Sequence, residues 1–163
     1  MIESDARRAS ILRRKTHRHN HNVEILNKKV EVSSENSLDN LLKTTKLPND
    51  FDLLSIDVDG NDYHIWNSLK DFFPKIVVIE INPVLKLFNY VQPIDGVGGA
   101  SLTNLTNIGK NKGYELISAT ELNAFFVKRE YFDKFNIKDN SPKAIFVDSD
   151  SSYGGDRTNY SQI

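Results

Sequence analysis

Ser55-Ile56-Asp57-Val58-Asp59-Gly60-Asn61-Asp62 is an apolar run that stops abruptly on carboxylates, a glycine and an asparagine. Taken back to Phe51, its apolar positions Phe51, Leu53, Leu54, Ile56 and Val58 are too continuous for a strand wet on one face. They predict a strand over 51–58 in the middle of a sheet covered on both sides. Asn61 and Asp62 then supply turn and cap chemistry for a helix whose Tyr63, Trp66, Leu69 and Phe73 form an apolar stripe, widened by Ile65 and Phe72 and stopped by Pro74. Lys75-Ile76-Val77-Val78-Ile79-Glu80-Ile81-Asn82-Pro83 is the strongest strand in the chain, and it too ends in a carboxylate, an amide and a turn residue. Strand, helix, strand is a βαβ unit with a right-handed crossover, so the two strands run parallel and both acidic ends fall on one sheet edge. Ligands of open α/β sheets sit beyond the carboxyl ends of the strands. Asp57, Asp59, Glu80 and Asn82 are therefore the candidate site residues.

Upstream, Asp5 can cap a helix through Ala6, Ile11 and Leu12 that carries Arg7, Arg8, Arg13, Arg14, Lys15 and Arg18. Its thin apolar face reads as a solvated surface helix rather than an anion or nucleic-acid contact. His17, His19 and His21 would share one face of a strand, but no acidic ligand accompanies them. Val23 to Asn27 reads as a short strand that Val30 and Val32 extend as an edge, and Ser37 caps a short helix with Leu38, Leu41 and Leu42 inward. Downstream, Val84 to Ala100 holds Pro93, Gly96, Gly98 and Gly99 and predicts a long irregular binding loop. Ser101 caps a helix with Leu102, Leu105 and Ile108 inward, and Gly113 ends it. Tyr114 to Ile117 and Ala124 to Val127 are close enough in sequence for an antiparallel pair. The expectation is an α/β domain over 1–135 and a polar, mobile tail over 136–163, with a short strand at Ala144 to Val147.

The bulk numbers narrow the function. A chain of 163 residues fits one core, and a formal net charge of −1 gives no global steering toward nucleic acid or an anionic membrane. The absence of cysteine excludes disulfides, thiolate nucleophiles and cysteine-bound zinc. No apolar run approaches the ~18 residues needed to span a bilayer, and the first residues lack signal-peptide order. A cytoplasmic protein without a membrane partner is expected.

These residues resemble the FkbM-type methyltransferase family. The resemblance rests on Phe51 to Tyr63, on Pro74 to Pro83, on Gly113-Tyr114-Glu115-Leu116 with Asn123 to Val127, and on Ser37 to Leu42. It covers roughly residues 1 to 132. It implies a Rossmann-like, doubly wound mixed sheet, mostly parallel with an antiparallel C-terminal strand pair, that binds S-adenosylmethionine and methylates a hydroxyl of a sugar or another small molecule. It also implies that Ile2-Glu3-Ser4-Asp5 ends a strand where Glu3 hydrogen-bonds the cofactor ribose, with Asp57 beside it. The family's first strand and glycine-rich turn have no counterpart in these residues, so the resemblance implies an N-terminally truncated domain, with a partner chain to supply the rest. Without that supply, a non-catalytic remnant or partner-binding domain is the competing expectation.

Methyl transfer to a hydroxyl needs in-line placement and removal of a proton, for which Asp57, Asp59, Glu80 or His64 are candidates. Asp57, Asp59, Glu80 and Asn82 offer only hard oxygen ligands, which suit Mg²⁺ or Ca²⁺ rather than zinc. Asp57-Val58-Asp59-Gly60 also resembles the nucleophile motif of Mg-dependent phosphatases of the haloacid-dehalogenase type, but Asn61 stands where those have threonine. An EF-hand loop starting at Asp57 fails, because Asp62 and Ser68 occupy its glycine and glutamate positions.

Overall fold

The computed structural model of the chain describes residues 1–19 and 22–146. The elements run β1 (Ile2–Glu3), α1 (Ala6–His19), β2 (Leu26–Asn27), α2 (Leu38–Lys43), β3 (Leu53–Ile56), α3 (Asp62–Ser68), β4 (Ile76–Glu80), α4 (Leu102–Asn111), β5 (Tyr114–Ala119) and β6 (Asn123–Lys128), followed by a 3₁₀ segment at Arg129–Phe135. The fold is mixed α/β. β1 and β2 pair in parallel as a two-stranded sheet, and the other four strands form a sheet in the order β3-β4-β6-β5. β3 and β4 are parallel, and β6 lies antiparallel between β4 and β5. Three of the four strands therefore point one way and β6 alone opposes them.

The βαβ unit forms as its sequence dictates, with Leu53 opposite Ile76 and Ile56 opposite Ile79. The expected central position of its first strand is not observed. β3 is an edge strand among the described residues, and its burial alternates: Leu54 and Ile56 are buried, whereas Leu53 is 55% exposed and Ser55 is also exposed. An apolar run reports what a strand can bury, and here nothing described covers its outer side. α3 likewise stops at Ser68, because Leu69 turns to an extended backbone, and Phe73 of the expected stripe stays half exposed. Lys112 Nζ satisfies the freed carbonyls of Asn67 and Leu69.

The core lies between the sheet and α3 with α4. Trp66 packs on Phe126 at 4.9 Å between ring centroids and edge-on to Tyr114 at 5.8 Å. Gly109 of α4 lets that helix approach, since a Cβ there would sit 3.1 Å from both Trp66 and Phe126. Tyr114 Oη donates to the Pro74 carbonyl at 2.7 Å, which fixes the chain entering β4. α2 docks through buried Leu38, Leu41 and Leu42, and its Asp39 accepts the N–H groups of Lys70 and Asp71.

Several local expectations change. The segment at Val30 and Val32 forms only an isolated bridge, Glu31 to Ser37, because no neighbouring edge continues the pairing. His17 and His19 belong to α1, where positions two apart do not share a face. The strand expected to align the histidines is therefore not present at His17 and His19, and His21 lies outside the described residues. Residues 142–146 are helical rather than extended, with Ile145 buried against the core; Val147 lies outside the described residues. No helix among the described residues is long and apolar enough to cross a membrane.

Candidate functional site

The parallel pairing of β3 and β4 decides the site. Asp57 follows the last residue of β3 and Glu80 ends β4, so the register of Ile56 on Ile79 carries both carboxylates to the same edge. Asp59 joins them because the chain reverses there: its φ is +57°, a left-handed conformation that aspartate tolerates better than bulkier residues. Asp57, Asp59 and Glu80 each offer a carboxylate oxygen, and the three oxygens lie within 4.8 Å of one another. Asp57 and Asp59 are exposed and Glu80 is half-buried.

Asp62 holds this turn in place. It is fully buried, and its two carboxylate oxygens accept the N–H groups of Val58 at 2.9 Å and Gly60 at 3.0 Å. Burial raises the pKa of Asp62, against the pull of those backbone donors. Gly60 packs so closely under the loop that a Cβ would run into the Gly96 carbonyl oxygen. Asn61 and Asp95 pair twice across the same gap: Asn61 Nδ2 donates to Asp95 Oδ1, and the Asp95 N–H donates to Asn61 Oδ1. The long loop is thus pinned over the acidic turn. The turn, the loop over 94–97 and the segment 29–33 enclose a cavity of about 550 Å³, a size that suits a small-molecule ligand.

Glu80 is the electrostatically distinctive member. Its pKa is raised, first by burial and then by the charges of Asp62, Asp57 and Asp59. A carboxylate so placed is a better proton acceptor near neutral pH than a solvated one. The crowding also suits a cation. An ion held at 2.3–2.6 Å, as Ca²⁺ is, bridges oxygens up to roughly 5 Å apart, whereas Mg²⁺ at about 2.1 Å needs them within roughly 4.2 Å. Oxygens that lie within 4.8 Å of one another are a candidate donor set for the larger Ca²⁺, whereas Mg²⁺ would require them to draw closer.

The other candidates, Asn82, His64 and Glu3, each have partners of their own. Asn82 spends its side chain on the turn: Oδ1 accepts the N–H groups of Val84 and Leu85, and Nδ2 donates to the Gly98 carbonyl. His64 Nε2 meets the Gln92 carbonyl at 2.8 Å, which ties α3 to the middle of the loop. Glu3 ends β1, where one of its oxygens accepts the Asp5 N–H at 2.8 Å. The sequence marks Gly96 only as part of a binding loop and Val30 and Val32 only as an edge strand; that these segments and Asp95 wall a cavity beside the acidic turn appears only through the loop's return.

No family model matches the chain, and no curated protein or solved structure shows significant similarity to it.

Proposed function

We propose that the chain is a methyltransferase-like α/β domain that takes part in S-adenosylmethionine-dependent O-methyl transfer to a sugar or another hydroxylated small molecule. The observation that carries the reading is the meeting of Asp57, Asp59 and Glu80 at the carboxyl ends of two adjacent parallel strands, with Asp59 also lining a cavity of small-molecule size. The strand order, with one opposed strand set between parallel ones, agrees with the arrangement that the resemblance implies. Glu80 is the group to take the acceptor's hydroxyl proton, because its raised pKa favours proton uptake. Asp57 and Asp59 orient the acceptor. A calcium or magnesium ion held by Asp57, Asp59 and Glu80 would supply Lewis acidity to the same hydroxyl.

S-adenosylmethionine would supply a methyl group on a sulfonium. The residues fit it in part. Glu3 retains one carboxylate oxygen for a ribose hydroxyl, the other being held by Asp5. Gly60, Gly98 and Gly99, which do adopt positive φ, border Gly96 and Asn82, so close backbone approach is built into the acceptor side. A second reading, a partner-binding domain without catalysis, is favoured by the open outer edge of β3. Isothermal titration calorimetry with S-adenosylmethionine separates the two. Binding that weakens in Glu3→Ala supports the methyltransferase reading, and no heat at millimolar cofactor removes it for this chain alone.

A further inference from the structure

On sequence alone α1 reads as a solvated basic helix, and its packing gives that charge a direction. α1 rests on the molecule through Ala9, which is fully buried, and through Leu12 and Thr16, which are half-buried. Arg13 belongs to the same flank, since its Nη2 donates to the Ile25 carbonyl at 3.2 Å. At 3.6 residues per turn the opposite side carries Arg7, Ser10, Arg14 and Arg18, one side chain for each successive turn, and all four are exposed. The row is about 16 Å long, at a rise of 1.5 Å per residue. Among the described residues no carboxylate pairs with an arginine or lysine of α1, and the Ser10 hydroxyl has no partner. Glu3 and Asp5, the nearest acids in sequence, instead accept the N–H groups of Asp5 and Arg8. Six cations and no acidic residue lie on this one helix, in a chain whose net charge is −1, so the rest of the molecule is acidic.

We infer that the row Arg7, Ser10, Arg14 and Arg18 is a binding surface for the phosphate backbone of a nucleic acid. Charge complementarity selects the occupant. A small anion meets one or two members of a row that repeats about every 5.4 Å, whereas a polymer with regularly spaced negative charges meets all of it. Arginine grips phosphate through its planar fork of donors, and a serine hydroxyl between two arginines adds a further donor to the same backbone. An anionic membrane fits less well, because an interfacial helix needs a free apolar face. Ala9 and Leu12 are turned into the molecule, and α1 carries no aromatic residue. The lack of aromatic side chains also leaves no platform on which bases could stack, so the surface holds the backbone without reading sequence. The acidic remainder of the chain is repelled by the same polymer and turns α1 toward it. This inference does not rest on the methyltransferase reading.

The test is fluorescence anisotropy of labelled duplex DNA, and separately of labelled single-stranded RNA, titrated with the whole chain at a series of salt concentrations. Three arginines on phosphates predict that affinity for the duplex falls by roughly 40-fold between 50 and 200 mM salt, and for the single strand by roughly 20-fold. Which of the two binds more tightly tells DNA from RNA as the source of the backbone. Replacing Arg7, Arg14 and Arg18 together by glutamine should abolish binding, and replacing all three by lysine should retain it, which separates loss of charge from loss of fold. Arg14→Gln alone should lower the duplex salt slope by about 0.9. Ser10→Asp, which sets a negative charge within the row, should weaken binding more than Ser10→Ala does. Lys110→Gln, the same loss of charge on α4, should leave the slope as it is. The inference is overturned if neither nucleic acid binds at 50 mM salt, or if the triple glutamine variant binds as the parent does. It is also overturned if phosphatidylserine vesicles or polyglutamate compete for the chain more strongly than unlabelled nucleic acid, which would make a membrane or an acidic protein the partner.

Discussion

Replacing Glu80 by glutamine should stabilise the metal-free fold, although it alters the residue at the heart of the acidic cluster. Two unit charges 4.8 Å apart repel by about 1 kcal/mol in water. At physiological ionic strength, with a Debye length of about 8 Å, screening roughly halves that. Glu80→Gln relieves two such pairs, with Asp57 and with Asp59, and also the repulsion from Asp62, for a gain of at least about 1 kcal/mol or about 2–4 °C in melting temperature for a domain of this size. Salt gives the signature: near 1 M the gain should fall to a few tenths of a kcal/mol, because the Debye length shortens to about 3 Å. The pH dependence has a definite sign. A carboxyl whose folded pKa lies above its unfolded value binds more protons when folded, so the folded state loses stability as pH rises from the ordinary carboxylate range through the raised pKa. Glutamine does not titrate, so the advantage of the variant should open over that window and hold above it. The assay is thermal unfolding by circular dichroism in chelator, at low and high salt and from acid to neutral pH. Added calcium should then raise the melting temperature of the parent and leave the variant nearly unchanged. A variant no more stable than the parent at neutral pH and low salt, or a gain indifferent to salt, would refute the crowding of these three carboxylates.

Asp62→Ala should cost about 2–3 kcal/mol, since it strands the N–H groups of Val58 and Gly60, and chemical denaturation would read the loss directly. Gly109→Ala should destabilise by about 1–3 kcal/mol despite better helix propensity, because the added methyl meets the Trp66 and Phe126 rings; unchanged stability would mean that those rings yield. Gln92 is buried with neither amide atom hydrogen-bonded, so Gln92→Met should be neutral or stabilising by about 1 kcal/mol, and a large loss on thermal unfolding would contradict that.

The parts of the fold legible in the sequence are those governed by local pattern and by one topological rule. Ser101 accepts the Asn104 N–H as an N-cap, Gly113 takes a positive φ just beyond α4, and the parallel βαβ unit brings Asp57 and Glu80 to one edge. What periodicity cannot convey is which side of a strand has a neighbour. Phe51 to Val58 reads as central because its side chains are apolar, yet edge or centre is decided by backbone partners that side chains do not encode. Asn82 shows the same limit at the site. An amide two residues beyond a carboxylate resembles a ligand, but Pro83 starts a turn whose N–H groups at Val84 and Leu85 claim its oxygen first. The pairing of Asn61 with Asp95 depends on the return of a long loop, which no local pattern announces.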